Sequence, residues 1–470
     1  MKKNTLKYGM ALIFLANLLN MGFSMMTNFF LPKYLTIDAY AQLKTFLMYV
    51  SYVGVLHLGY SDGMFLRYGG KRLDGVENTS ISTDIKTMRA FQFLVGTGML
   101  IAAFISKNEI LIACALVIIP INMANYYRYL FQATGEFENY SRTMNFSTIS
   151  LSVLLLILLA VGIRDNGMCY IAAYVIVDAL IWMYLESIML NKYAIKSIGN
   201  GAAVSASTLI CNIKTGFFLM LGSFSDIILT GMDRWFIKAL LDNTAFAMYS
   251  FAVSMEGLMN VVVTPISTTL YNYFCSHSDV KQLKKIKNKI ILFSTVVVSC
   301  AFPAKFILEN FLTNYLGATD VIFLLFGAQI YYIIIICFHS NLYKAKKMQK
   351  NYFVKIATVI GIGFGLNVLL YVLLKKKEAF AIGTMLCGII WFGLSEMDFK
   401  KVCINRNEGA YLLLVTATYI IVGTNFTAPL GFVLYCCSIF LLGGLFMRED
   451  FVECLKILKI AVKKLSKGNI

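Results

Sequence analysis

Proline is scarce in this 470-residue chain, with five residues, and charge is nearly as thin, at 14% Asp, Glu, Lys and Arg. So few prolines leave long helices free to run without interruption. A soluble domain carries about 25% charged residues. With 59% hydrophobic residues and a mean hydropathy of +0.71, most of the surface cannot face water. A bilayer is the solvent that suits it. Long polar stretches are absent too. The longest, such as Gly69 to Lys86, are too short to fold as a domain, which excludes a fused soluble enzyme. Histidine is limited to His57, His277 and His339, and no CxxC pair occurs. The eleven cysteines lie mostly inside apolar runs and read as small buried hydrophobes, so neither a metal nor a disulfide is expected. GxSxG, Walker A and HExxH motifs are all missing, which removes the common hydrolase, nucleotide-binding and metalloprotease readings.

What is present is a series of apolar runs of membrane-spanning length. They fall near 8–31, 41–60, 88–106, 109–131, 146–163, 168–190, 207–230, 244–270, 288–308, 320–343, 352–374, 379–396, 410–426 and 429–447. The expected fold is therefore all-α and polytopic, with about fourteen transmembrane helices. The first run is too long for a signal-peptide core and no small-x-small site closes it, so it reads as an uncleaved span. Of the 42 Lys and Arg residues, 32 fall on one set of alternating loops together with both tails. The remaining 10 fall on the other set. The positive-inside rule then places both termini in the cytoplasm of a multi-pass inner-membrane protein. The net charge of +17 is thus a product of topology and does not point to nucleic acid. Lys375-Lys376-Lys377 is the exception, falling on the outer side.

The expected organisation is an N-terminal six-helix bundle over 1–200 and a second over 201–400. Two additional transmembrane helices follow over 401–447, and a basic amphipathic cytoplasmic tail over 448–470. In that tail Phe451, Leu455, Leu458 and Val462 alternate with Lys456, Lys459, Lys463 and Lys467, a pattern suited either to an anionic membrane surface or to plain solvation. A weak internal repeat accompanies this division. Asp38-Ala39-Tyr40-Ala41 opens the second span and Asn243-Thr244-Ala245-Phe246-Ala247 opens the eighth, about half the chain apart. Duplicated helix bundles are a transporter habit.

Charged residues inside spans are costly, by roughly 2.5–3.5 kcal/mol on insertion scales, and so tend to face a cavity or a partner. Arg128 lies within Tyr126-Tyr127-Arg128-Tyr129, and Asp178, Asp226 and Glu256 lie within other spans. Asn17 with Asn20, and Asn122 with Asn125, are three residues apart and share helical faces on which they would line a hydrated lumen. Each has a plainer reading. Arg128 also fits a snorkelling arginine, the carboxylates fit inter-helix hydrogen bonding, and the amides fit helix glue.

Two stretches carry a family resemblance. Leu58-Gly59-Tyr60-Ser61-Asp62-Gly63-Met64-Phe65-Leu66-Arg67-Tyr68 resembles the end of the second helix in oligosaccharide flippases. Gly231-Met232-Asp233-Arg234-Trp235-Phe236-Ile237, with Ala247-Met248-Tyr249-Ser250-Phe251-Ala252, is similar to the segment joining their seventh and eighth helices. The family is the polysaccharide transporter, or Wzx-type O-antigen flippase, branch of the multidrug/oligosaccharidyl-lipid/polysaccharide (MOP) exporter superfamily. The resemblance implies two six-helix bundles in a V and an undecaprenyl-diphosphate-linked oligosaccharide as cargo, with no catalytic residue, metal or cofactor. It also implies drive from a proton or sodium gradient, and a polysaccharide polymerase and chain-length regulator as partners beside the membrane lipids. Arg67, Arg128, Asn17, Asn20, Asn122, Asn125 and Tyr127 are then the candidate substrate-binding residues, with Asp62 expected to orient Arg67. Asp62, Asp178, Asp226, Asp233, Arg234 and Glu256 are the candidate coupling or gating residues. Two alternatives stay open: a cation-coupled exporter of drugs or small solutes with the same fold, and an integral-membrane polysaccharide polymerase.

Overall fold

The computed structural model describes residues 22–23, 27–73, 78–193, 203–276 and 279–466. They form helices, and no strand occurs among them. Helix is the outcome expected of apolar segments in lipid, where each segment must satisfy its own backbone polar groups. In chain order the helices are α1 (27–34), α2 (Ile37–Val50), α3 (Tyr60–Tyr68), α4 (Asn78–Ser106), α5 (Glu109–Thr134), α6 (Phe137–Ala160) and α7 (Gly167–Tyr193). They continue as α8 (Ala206–Leu240), α9 (Asn243–Gly257), α10 (Asn260–Ser276), α11 (Val280–Val297), α12 (Ala301–Phe311), α13 (Thr319–Ile334) and α14 (Asn341–Ala345). The last five are α15 (Gln349–Leu374), α16 (Glu378–Asp398), α17 (Arg406–Asn425), α18 (Ala428–Phe446) and α19 (Arg448–Ser466).

Among the described residues, ten helical stretches are long and apolar enough to cross a membrane, and the bent pair α9–α10 makes an eleventh. Three of the fourteen expected spans are not among these. The first lies largely outside the described residues, and Asn17 and Asn20 lie there with it. The second is broken into short pieces. The thirteenth, α17, is a 20-residue helix that begins with Arg406 and the buried Glu408. Its start is set by a reciprocal cap in which Asn405 and Glu408 each bind the other's backbone amide. Lys375-Lys376-Lys377 forms the turn between α15 and α16, so its charge sits in a connection between two complete helices.

Several helices outrun the apolar segments that announced them. The run at 88–106 becomes α4, which starts ten residues earlier and adds Asp84. Asp84 is 1% exposed, so these polar turns face protein. Hydropathy registers only contact with lipid and cannot see such turns.

The chain divides into two compact units, Met1–Gly231 and Met232–Ile470. The division falls inside α8 rather than near residue 200. The first part of α8 packs backbone to backbone on α3. A Cβ on Gly63 would lie 2.0 Å from the Asn212 carbonyl oxygen, and one on Gly216 would lie 2.0 Å from the Gly59 carbonyl oxygen. The last turns of α8 carry Asp233, whose side-chain partners lie in the second unit.

The repeat in the sequence has a structural counterpart. The span opened by Asp38 is interrupted between α2 and α3, and the span opened by Asn243 is interrupted between α9 and α10, with a 44° bend. Each unit therefore carries one broken span at a matching place in the chain.

Candidate substrate site

In the first unit the break after α2 is a 3₁₀ turn, Val53–His57, followed by two left-handed residues, Leu58 (φ 49°) and Gly59 (φ 85°). A break at membrane depth strips carbonyls of their helical partners, and no water replaces them. Amide side chains from the neighbouring helices do so here. Asn122 Nδ2 of α5 donates to the Val53 carbonyl at 3.2 Å and to Gln92 Oε1 of α4 at 2.6 Å. Gln92 Nε2 donates to the Leu56 carbonyl at 3.3 Å. Asn122 is fully buried, so it braces the break instead of lining a lumen; Asn125, one turn on, is half-buried. At the break His57 Nδ1 accepts the Gly59 amide at 3.0 Å, and its Nε2 lies 3.8 Å from Asp62.

The carboxylate that holds Arg67 is Asp84 of α4. Asp62, expected to orient this arginine, lies at the other end of the short α3 and faces His57 instead. Asp84 also accepts from Tyr68 Oη at 2.5 Å, and its backbone carbonyl accepts from Tyr60 Oη at 2.9 Å. One edge of the Arg67 guanidinium is thus fixed. Its side chain remains 32% exposed, and its Nε has no hydrogen-bond partner among the described residues.

Two further arginines of this unit face carboxylates on other helices, Arg89 in contact and Arg128 at longer range. Arg89 of α4 pairs with Glu186 of α7 at 2.5 Å, and Glu186 is steadied by Trp182 Nε1 at 3.0 Å. Arg128 of α5 lies in the field of Asp178 of α7, and its Nε is likewise unpartnered among the described residues. Helix α5 organises all three pairs. Successive residues on a helix point about 100° apart, so Tyr126 to Tyr129 address four directions. Tyr126 packs its ring on Tyr60 beside the Arg67–Asp84 pair, with centroids 6.2 Å apart. Tyr127 turns toward Arg89 and Glu186, Arg128 toward Asp178, and Tyr129 toward Phe65, at 6.1 Å between centroids. Tyr127, a candidate substrate-binding residue, is fully buried in the apolar core of the unit. The ring on this helix that a ligand can reach is Tyr129, at 37% exposure.

The second unit has a different character. Asp233 accepts from Tyr249 Oη at 2.7 Å, from Asn367 Nδ2 at 2.8 Å and from Thr384, a set of neutral donors. Glu256 of α9 accepts from Gln329 of α13. Arg234 has a partner of its own, as does the exposed Asp226, which belongs to the first unit. Among the described residues no cluster of three or more His, Cys, Asp or Glu side chains is arranged to hold a metal. An apolar cavity of about 640 Å³ lies against α13, α16 and α17, walled by Tyr331, Met385, Ile389, Phe392 and Leu412 and edged by Glu396.

Asp84 and Lys287 escaped the sequence reading because each lies just before an apolar run, where it resembles a loop residue, whereas Glu186 and Glu396 lie near the ends of the runs at 168–190 and 379–396 and nothing in a single sequence points to their partners. Arg89 and Lys287 entered it only as loop charges.

No family model matches the chain. A Haemophilus influenzae protein described as Lsg locus putative protein 1 is 23% identical over 318 residues, covering 65% of this chain and 74% of that one. Among solved structures, the lipid II flippase MurJ in an inward closed conformation superposes with a TM-score of 0.62 at 14% identity. The match covers 93% of this chain and 99% of MurJ. An inward-facing multidrug-resistance MATE transporter of the MOP superfamily gives 0.55 at 12% identity, over 82% and 98% of the two chains. The chain has the MOP-transporter fold and is a multi-pass membrane protein.

Proposed function

We propose that this chain is a flippase for a lipid-linked oligosaccharide. In this reading it carries an undecaprenyl-diphosphate-bound repeat unit of an O-antigen, capsule or exopolysaccharide from the cytoplasmic to the outer leaflet by alternating access. The observation that carries the reading is the set of carboxylate-held arginines in the first unit. A diphosphate needs cations, and guanidinium meets phosphate oxygens with two parallel hydrogen bonds while keeping its charge. A guanidinium held on one edge by a carboxylate has lost little further freedom when its other edge takes up an anion. Arg67 has this form, Arg128 lies in the field of Asp178 with its Nε unpartnered among the described residues, and Tyr129 adds an accessible ring for a sugar face. The apolar cavity of the second unit suits a segment of isoprenoid chain. Asp233 and Glu256, held by neutral donors, suit coupling to a proton or sodium gradient.

The test is deletion of the gene, followed by assay of surface glycan and of the lipid-linked intermediate. Repeat units should be built and remain on the cytoplasmic leaflet, and long surface glycan should disappear. Normal glycan in a deleted strain with no second flippase overturns the reading. A changed drug susceptibility with glycan intact would favour the small-solute exporter of the same fold.

A further inference from the structure

The second unit buries a charged cluster that the flippase reading does not use. Lys287 of α11, with a side chain 0% exposed, directs its Nζ to both oxygens of Glu396 of α16, at 3.1 and 2.9 Å, and to the Val402 carbonyl. His339 Nε2 meets Glu396 Oε1 at 2.9 Å, and the Ile404 amide donates to Glu396 Oε2 at 2.6 Å. Lys287 and Glu396 together therefore grip the 399–405 connection at two points, one carbonyl and one amide. A buried ammonium and carboxylate lose hydration worth several kcal/mol each, so a cluster kept only to pin a short loop is an expensive device.

Three features single out His339. It lies in a π-helical turn, Ile335–Ser340, inserted between α13 and α14, and such turns are rare and gather at functional sites. Its ring is boxed by Phe338, Phe392 and Phe399, with centroids 5.3, 5.6 and 6.1 Å away. Its Nδ1 is buried and has no hydrogen-bond partner among the described residues. With Nε2–H donated to Glu396, the cluster holds one positive and one negative charge, and Nδ1 is a vacant proton position. The other ionisable groups nearby are Glu408, which faces Lys287 and pairs with Lys284 at 3.8 Å, and the Cys403 thiol beside Glu396. Asp450 adds a carboxylate behind Asn288, at 2.8 Å. None of these acids contacts the imidazole, so nothing balances a second positive charge there.

We propose that Lys287, His339 and Glu396 form a proton-operated latch on the 399–405 connection. With the imidazole neutral, Glu396 holds Lys287 and the Ile404 amide, and the latch is closed. A proton from water, entering past Glu396 at the edge of the apolar cavity, is taken up at His339 Nδ1. The imidazolium then repels the ammonium that shares its carboxylate, Lys287 lets go of the Val402 carbonyl, and the connection opens beside the cavity. The inference is independent of what the transporter carries.

The experiment is amide hydrogen exchange on the full chain in lipid nanodiscs, from about pH 8 to about pH 4, a range that includes and extends below the one over which a free imidazole changes charge. Rates are scaled for the intrinsic pH dependence of exchange and followed in peptides covering Phe399 to Asn405. The wild type should lose protection about tenfold or more across that range, since local opening sets exchange. His339→Gln keeps a donor for Glu396 but cannot titrate, so its protection should stay high and flat. Glu396→Gln should be unprotected at every pH. A wild type without the step, or a His339→Gln variant that keeps it, overturns the latch. If His339→Gln does not purify folded, His339→Asn is judged by the same criterion, and the wild-type profile alone still refutes the proposal when flat.

Discussion

Two glycines on one helix make a decisive pair. Gly216 and Gly222 both lie in α8, six residues apart, and both are exchanged for alanine. At Gly216 the new Cβ would stand 2.0 Å from the Gly59 carbonyl oxygen, 2.3 Å from the Gly63 nitrogen and 2.9 Å from Asp62 Cβ. Ordinary contact begins at 3.4 Å, so α3 and α8 must part by about 1.4 Å at the crossing. Overpacking of this kind costs about 1–3 kcal/mol, and the upper end applies because the obstructing atoms are backbone and cannot rotate away. At Gly222 nothing lies within 4 Å, so alanine there should be neutral or gain up to about 1 kcal/mol of helix propensity. The assay is thermal melting of the detergent-purified protein beside its membrane abundance. Gly216→Ala should melt several degrees lower and be less abundant, while Gly222→Ala should match or exceed the wild type. Because α3 carries Arg67, surface glycan should fall further than abundance in Gly216→Ala. Equal melting of the two variants would refute the backbone-on-backbone crossing.

Removing one charge-assisted hydrogen bond costs about 1.5–3 kcal/mol, so Arg128→Ala should lower glycan display by roughly tenfold to a hundredfold at normal protein level. Arg128→Lys should be intermediate, and full export by a normally abundant Arg128→Ala protein would sink its role. Asp84→Asn should depress export about as much as Arg67→Ala, with the double variant no worse than either single one, because the two act as a unit; additive losses would separate them. A reporter active only outside the cytoplasm should give signal when fused after Asn425 and none after Asn407, since α17 lies between these positions. Signal at Asn407 would remove the expected orientation of the last two spans.

Most spans were legible in apolar run length alone, and α5, α7, α15 and α16 begin and end within a few residues of the runs that announce them. The polar ends of α4 and α11 were not, because Asp84 and Lys287 face protein there and look like loop residues to any hydropathy count. Partners were hidden for another reason. Arg89 and Glu186 are 97 residues apart and Lys287 and Glu396 are 109, and a single sequence holds no signal joining such positions. The stretch Leu58 to Tyr68 was read as a family mark, and its glycines prove to have a mechanical cause. Gly59 takes a left-handed conformation and Gly63 admits the α8 backbone. The expected lumen-lining role of Asn122 failed because shared helical face says nothing about what that face meets.

The interrupted second span bears on how the protein is made. Helix α2 has 14 residues, about 21 Å long, against a hydrocarbon layer of about 30 Å. Neither it nor the shorter α3 can cross alone, and the turn between them exposes the carbonyls of Val53 and Leu56. Gln92 and Asn122, which receive those carbonyls, follow Leu56 and Val53 by 36 and 69 residues. A ribosome will therefore have delivered the broken span to the insertion machinery well before the side chains that make it comfortable in lipid exist. Until α5 arrives, that segment has reason to wait at the lateral gate or at the headgroups. Pausing synthesis between Gln92 and Asn122 should leave it accessible to water-borne labels that cannot reach it in the finished protein.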